Sequence, residues 1–151
     1  MKKLIASIVL ATVVLGLMYI NESNSVASET SEIVVYQSRT CGCCKKWVKH
    51  LENAGLKVRS VLLDDVGPIK RELNIPNNLS SCHTAKVGKY VVEGHVPASA
   101  IKKLLAEKPA VKGLSVPGMP MGSPGMEGSY SEPYDVLTFD GHGNNKVFMS
   151  L

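Results

Sequence analysis

Three of the four cysteines fall within four residues, Cys41-Gly42-Cys43-Cys44, and the fourth follows in Ser81-Cys82-His83-Thr84. The first group lies where a short apolar run, Ile33-Val34-Val35-Tyr36, passes through a polar turn into a helical pattern. A thiol at a helix start faces free amide N–H groups and the positive end of the helix dipole, and both favour its ionised form. A thiolate is the nucleophile of disulfide chemistry and a ligand for soft metals. Both chemistries are open to this pattern.

Helix geometry separates the clustered thiols. Cys44, Trp47, Val48 and Leu51 share one apolar stripe, so Cys44 points inward. Cys41 sits at the exposed helix start, and Cys43 lies about 100° around the axis from Cys44. Thiols at such offsets can line one wall of a multi-metal site, with Cys82 closing the far side. A single tetrahedral zinc site of four cysteines usually draws on two separated C-x-x-C pairs, and this chain has one. A disulfide from Cys41 to Cys44 or from Cys41 to Cys82 is the alternative, but it does not require the third thiol.

The other candidate donors are His83, beside Cys82, and His95, in Glu93-Gly94-His95-Val96-Pro97. Each has a plain structural alternative, a surface histidine for the first and a loop or helix cap for the second. His50 lies about two helical turns from Cys43, too far to share the site, and His142 falls in a glycine-rich turn. Residues 113–128 hold Met119, Met121 and Met126 among glycines and prolines. Thioether suits Cu(I), so Met119 and Met126, ahead of Met121, are candidate ligands. A rigid apolar lid over the cysteines is the other use of such a loop.

These residues need a scaffold. Strands are predicted at 32–36 and 57–63, and helices at 43–54 and 66–73, with Gly55 stopping the first helix. Short strands follow at 84–87 and 90–93, then a helix at 97–107 with Pro97 in its first turn. A hairpin spans 134–139 and 146–149. The Gly/Pro content of 113–128 predicts neither helix nor regular strand. Strand, helix, strand, helix with a C-x-x-C at the first junction is the opening of a thioredoxin-like fold. On that reading residues 74–112 are an insertion, the usual final helix is missing, and Met119–Pro120 is the candidate for a cis bond facing the cysteines.

The N-terminus has its own character. Lys2-Lys3 precedes an apolar run to Ile20, and Ser25-Val26-Ala27 supplies small residues before a cut. Residues 1–27 therefore read as a secretory signal peptide, with an uncleaved membrane anchor as the alternative, and 28–32 as a short linker. Residues 33–151 form the single metal-binding domain. Losing 1–27 lowers the net charge from +4 to +3, with the lysines scattered. No basic stripe points to nucleic acid.

Five segments in order carry a resemblance. They are Cys41-Gly-Cys-Cys44 with Trp47, His50 and Leu51; Ser-Cys82-His83-Thr-Ala85; Glu93-Gly-His95-Val-Pro-Ala98; Gly-Leu-Ser-Val-Pro-Gly-Met119-Pro; and Gly-Ser-Pro-Gly-Met126-Glu. Together they resemble the small exported metal-binding proteins of the CopG copper-resistance type, over about residues 33–150. The resemblance implies a bacterial periplasmic protein with a thioredoxin-like fold, found with copper-handling systems. It implies copper held by Cys41, Cys43, Cys44 and Cys82, with His83 and His95 less firmly assigned, and a multinuclear cluster as one form. It also points to cycling between Cu(I) and Cu(II). A further reading of the same site is a passive chaperone that hands metal to a membrane pump or efflux partner, so copper efflux or chaperone proteins are candidate partners. The competing reading is a periplasmic thiol–disulfide oxidoreductase with Cys41 as nucleophile and Cys44 as resolving thiol.

Overall fold

The computed structural model describes residues 31–151. The expected signal peptide, and the linker up to residue 30, lie outside the described residues. No helix among the described residues is long and apolar enough to cross a membrane.

The described chain is a mixed α/β unit with one seven-stranded sheet and three α-helices. The elements in order are β1 (Ile33–Ser38), α1 (Gly42–Asn53), β2 (Val58–Leu63), α2 (Gly67–Glu72), β3 (Thr84–Val87) and β4 (Tyr90–Gly94). Then come α3 (Ala98–Glu107), β5 (Gly113–Val116), β6 (Asp135–Phe139) and β7 (Asn145–Ser150). The strand order is β2-β1-β3-β4-β5-β6-β7. The β1/β2 and β4/β5 pairs are parallel, and the other neighbours are antiparallel. As a result β1 and β4 end, and β3 begins, at the same edge of the sheet. The four cysteines, His83 and His95 lie there.

Periodicity explains the core. β1 alternates buried and half-buried residues, with Ile33, Val35 and Gln37 on the covered face. Every residue of β4 and β5 is buried, as expected of central strands covered on both faces. Helix α1 presents Cys44, Trp47 and Leu51 to the sheet, the inward stripe expected from its sequence. Trp47 joins Ile33, Val35, Ala85, Val92, Val96, Ile101, Leu104 and Leu114 in the main core. Its indole N–H donates to the Val96 carbonyl at 2.8 Å, so α1 is fixed to the segment that follows β4.

Three expectations are corrected. Residues 74–112 are not an insertion, because β3 and β4 lie between β1 and β5 and connect the two halves of the sheet. No peptide bond among the described residues is cis, Met119–Pro120 included. The stretch 113–128 does contain a strand, since Gly113–Val116 forms β5. Its first residue shows why. A Cβ on Gly113 would lie 1.8 Å from the Val91 carbonyl oxygen, so the close approach of β5 to β4 needs glycine. Gly/Pro content averaged over sixteen residues hid a proline-free strand at its start.

A candidate metal centre of thiols and imidazoles

Helix α1 begins at the thiols. Cys41 is its N-cap residue, and its sulfur accepts the Cys44 amide N–H at 3.3 Å. Serine or aspartate usually fills this position. Here a sulfur does, so the helix dipole acts directly on it. Cys41 and Cys44 form a disulfide with a Cα–Cα distance of 5.4 Å, while Cys43 and Cys82 are free. This selects one of the pairings left open by the sequence. The free Cys43 sulfur lies 3.4 Å from that of Cys41.

Cys82 comes from the turn before β3 and meets these thiols from the other side. The sulfurs of Cys41, Cys43, Cys44 and Cys82 all lie within 4.8 Å of one another. Metal–sulfur bonds are about 2.3 Å long, so two sulfurs on one ion lie within about 4.6 Å. Small adjustments in the reduced protein therefore suffice for shared or bridged ions.

A second group overlaps the first at Cys82. The donor atoms of Cys82, His83 and His95 also fall within 4.8 Å of one another. His95 Nε2 lies 3.0 Å from the Cys82 sulfur, and His83 Nδ1 lies 3.3 Å from it. Both imidazoles are fully buried. His83 packs on Trp47 with ring centroids 4.3 Å apart and meets His95 edge-on at 5.1 Å. His95 Nδ1 lies 2.7 Å from the Pro124 carbonyl oxygen, to which it donates. That bond fixes the tautomer and leaves the Nε2 lone pair facing Cys82, the usual arrangement behind a metal-binding histidine. His83 Nε2 has no partner, and the side-chain oxygen of Gln37 is the other buried orphan among the described residues.

Burial sets the protonation states. It pushes the Cys82 thiol up to about 12, with Cys43 nearby adding to the effect. Without metal this thiol stays protonated at neutral pH, so metal binding must release its proton. Burial lowers His83 to about 3, with His95 and Lys70 contributing, and it also lowers His95. Both rings are therefore neutral, the form that ligates metal.

The Gly/Pro/Met loop packs against the start of α1 and against His95. Its turns are held by its own backbone bonds, from Met126 N–H to Ser123 O at 2.8 Å and from Gly122 N–H to Met126 O at 3.1 Å. A Cβ on Gly125, where φ is +90°, would stand 2.6 Å from the Cys43 carbonyl oxygen and 3.0 Å from the Trp47 nitrogen. The loop thus rests on the first turn of α1. Met126, the next residue, is half-buried, while Met119 is 48% exposed. His50 stands apart, as expected. Its Nε2 accepts the Ala98 amide N–H at 3.1 Å and so caps α3. The capping role considered for His95 belongs to His50. His142 is exposed in its turn.

Sequence reasoning missed a buried polar cluster behind Cys82. The Glu93 carboxylate, wholly buried, accepts from the Ser81 amide at 2.6 Å, from the Thr84 hydroxyl at 2.5 Å and from the Lys70 ammonium. A glutamate following two valines in a short strand was the available signal.

Fold and site define a small α/β protein whose clustered thiols and imidazoles can hold metal. Two solved structures of copper resistance protein CopG, forms 1 and 2, match it at 41% identity. They cover 80% of this chain and 97% and 98% of their own, with TM-scores of 0.74 and 0.75. The chain belongs to the CopG copper-resistance family. A family model described as a protein of unknown function, DUF411, matches residues 79–126, which include Cys82, His83, His95 and Met126. No curated protein matches.

Proposed function

We propose that this chain is a periplasmic copper-binding protein of copper resistance, and that its cargo is Cu(I) held by Cys41, Cys43, Cys44 and Cys82. The observation that supports this most is the convergence of four sulfurs within 4.8 Å in a chain of the copper-resistance family. Thiolates favour Cu(I), and in the reduced protein all four become available. His83 and His95 extend the donor set with neutral nitrogens suited to Cu(II), which supports cycling between the two states. On this reading Met126 and Met119 are the thioether ligands that the loop offers. Copper efflux or chaperone proteins are the partners this role calls for.

We also assign residues 33–107 to a thioredoxin-like unit. The run β1-α1-β2-α2-β3-β4-α3, with the order β2-β1-β3-β4, supports it. On this assignment α3 is the closing helix, and β5 to β7 with the Met loop are an extension that covers the site.

The test is an anaerobic Cu(I) titration of the reduced mature protein against a competing chelator, with Cys82→Ser alongside. The reading expects at least one equivalent bound, and a loss of about tenfold or more in affinity or stoichiometry in the variant. A reduced protein that takes up no Cu(I) refutes it. The Cys41–Cys44 disulfide at the start of α1 favours a second reading, a thiol–disulfide oxidoreductase. Cys43→Ser separates the two. It leaves disulfide reduction intact if the second reading holds, and lowers copper binding if the first does.

A further inference from the structure

The only salt bridge with both partners largely buried among the described residues, Lys70–Glu93, lies directly behind the Cys82–His83 segment. Glu93 is wholly buried, and the Lys70 side chain is 14% exposed. Buried ion pairs are weak devices for stability, because desolvating two charges offsets most of their attraction. Burial raises the Glu93 carboxyl, and Lys70 acts against that rise. The position of the pair relative to the site therefore calls for explanation.

Every bond of the cluster ends on a residue flanking the metal donors. One Glu93 oxygen takes the Ser81 amide N–H, immediately before Cys82. The other takes the Thr84 hydroxyl, immediately after His83. Lys70 reaches across from α2 to Glu93 and also donates to Thr84 Oγ1 at 2.9 Å. Glu93 itself stands two residues before His95 on β4. One carboxylate thus grips both ends of the Cys82–His83 dipeptide and sits on the strand that delivers His95. The adjoining geometry is equally tight. Gly94 has φ +72°, and a Cβ there would lie 2.5 Å from the Val116 carbonyl oxygen and 2.7 Å from Ser81 Cβ. The Ser81 hydroxyl donates to the Gly118 carbonyl at 2.5 Å, which ties the same turn to the Met loop.

We propose that Glu93, with Lys70 as counter-charge and Thr84 as strut, is a positioning residue that sets Cys82 and His83 at bonding distance from the α1 thiols and His95. This rests on the reading of the cluster as a copper site. The role is mechanical and electrostatic. Hydrogen bonds to a charged carboxylate are short and directional. Two of them on either side of a dipeptide fix its backbone more firmly than a turn of Ser, Cys and His would by itself. Lys70 donates to both Glu93 and Thr84, and so braces the carboxylate in the orientation that takes both bonds.

The double variant Lys70→Met/Glu93→Leu separates positioning from stability. Apolar replacement of a buried ion pair is commonly neutral or stabilising, but here it also takes the acceptor from the Ser81 N–H and the Thr84 hydroxyl, so a modest fall in the thermal midpoint with the fold kept is expected. Cu(I) affinity, from the same chelator competition, is expected to fall about tenfold or more, the usual effect of removing support behind a metal ligand. Hydrogen exchange at the Ser81 amide is expected to quicken. Wild-type protein is titrated in parallel. If it fails to bind Cu(I), the copper reading falls. If it binds and the folded double variant binds within twofold of it, the positioning role is overturned. Should the double variant not fold, Thr84→Val removes only the strut and keeps the ion pair. Weaker Cu(I) binding with a retained fold supports the proposal, and unchanged binding overturns it.

Discussion

His83 makes stability depend on pH, and the size follows from its surroundings. The ring is fully buried between Trp47 and His95, and burial lowers it from 6.5 to about 3. In the unfolded chain it titrates near 6.5. Between these values the unfolded state binds a proton that the folded state does not. Stability therefore rises with pH through the window and is lost as pH falls below 6.5. The limiting slope is about 1.4 kcal/mol per pH unit. Integrated from pH 7.5 down to 4.5, the loss assigned to His83 is about 2.7 kcal/mol. The assay is urea unfolding of the metal-free, disulfide-bonded protein at several pH values, beside His83→Leu. Leucine has a similar volume and leaves no orphaned Nε2, so the two proteins should be close in stability at pH 7.5. At pH 4.5 the variant should be the more stable by about 2–3 kcal/mol. His95 and the carboxylates titrate in both proteins, so they largely cancel in the difference. Parallel profiles between pH 6.5 and 4.5 would refute the reasoning, because a ring that is buried and neutral cannot leave stability unmoved there.

Two further outcomes follow from the loop and from the second buried orphan. Gly125→Ala puts a methyl 2.6 Å from the Cys43 carbonyl oxygen at φ +90°. It should cost about 1–3 kcal/mol in unfolding free energy and weaken Cu(I) binding by lifting the loop off α1. Gln37 stands one step beyond the Tyr36–Thr84 pair, opposite His83 across the β1/β3 ladder, and each residue carries a buried atom without a partner. The two atoms do not bond each other, and the Gln37 oxygen, placed across the ladder, is expected to bias which His83 nitrogen carries the proton. Gln37→Leu should leave stability within about 1 kcal/mol and shift the His83 tautomer, read from imidazole nitrogen NMR shifts. An unchanged tautomer would remove Gln37 from that role.

Local rules read this site well where the signal was local. Helical spacing placed Cys44 inward with Trp47 and Leu51, and the structure has all three buried on α1. Turn and strand signals found β3 and β4, and distance along α1 kept His50 out of the cluster. Errors came where a local pattern was fitted to a global plan. Treating 74–112 as an insertion followed from placing the fold's end at the last hairpin, although two strands and a helix had already been read inside that span. Strand order is a non-local property. Nothing within β3 states that it pairs with β1 on one side and β4 on the other.

The support of the donors was the hardest part to see, and for a physical reason. The bond that orients His95 comes from the Pro124 carbonyl, a group every residue possesses, so no side chain in the sequence marks it. The carboxylate gripping the Cys82–His83 dipeptide lies nine residues beyond Thr84 and finds its counter-charge on α2. Only the antiparallel β3/β4 pairing, with Thr84 opposite Glu93, brings them together. One signal was present. A glutamate between Val92 and Gly94 in a strand buried at every position must be paired or neutral, since an isolated charge there is too costly. Asking what could pair with Glu93 leads to a lysine, and Lys70 is the one the fold delivers. In this chain the candidate ligand types are written in the motifs, while the groups proposed to hold them in place are found by asking which buried polar atoms still need a partner.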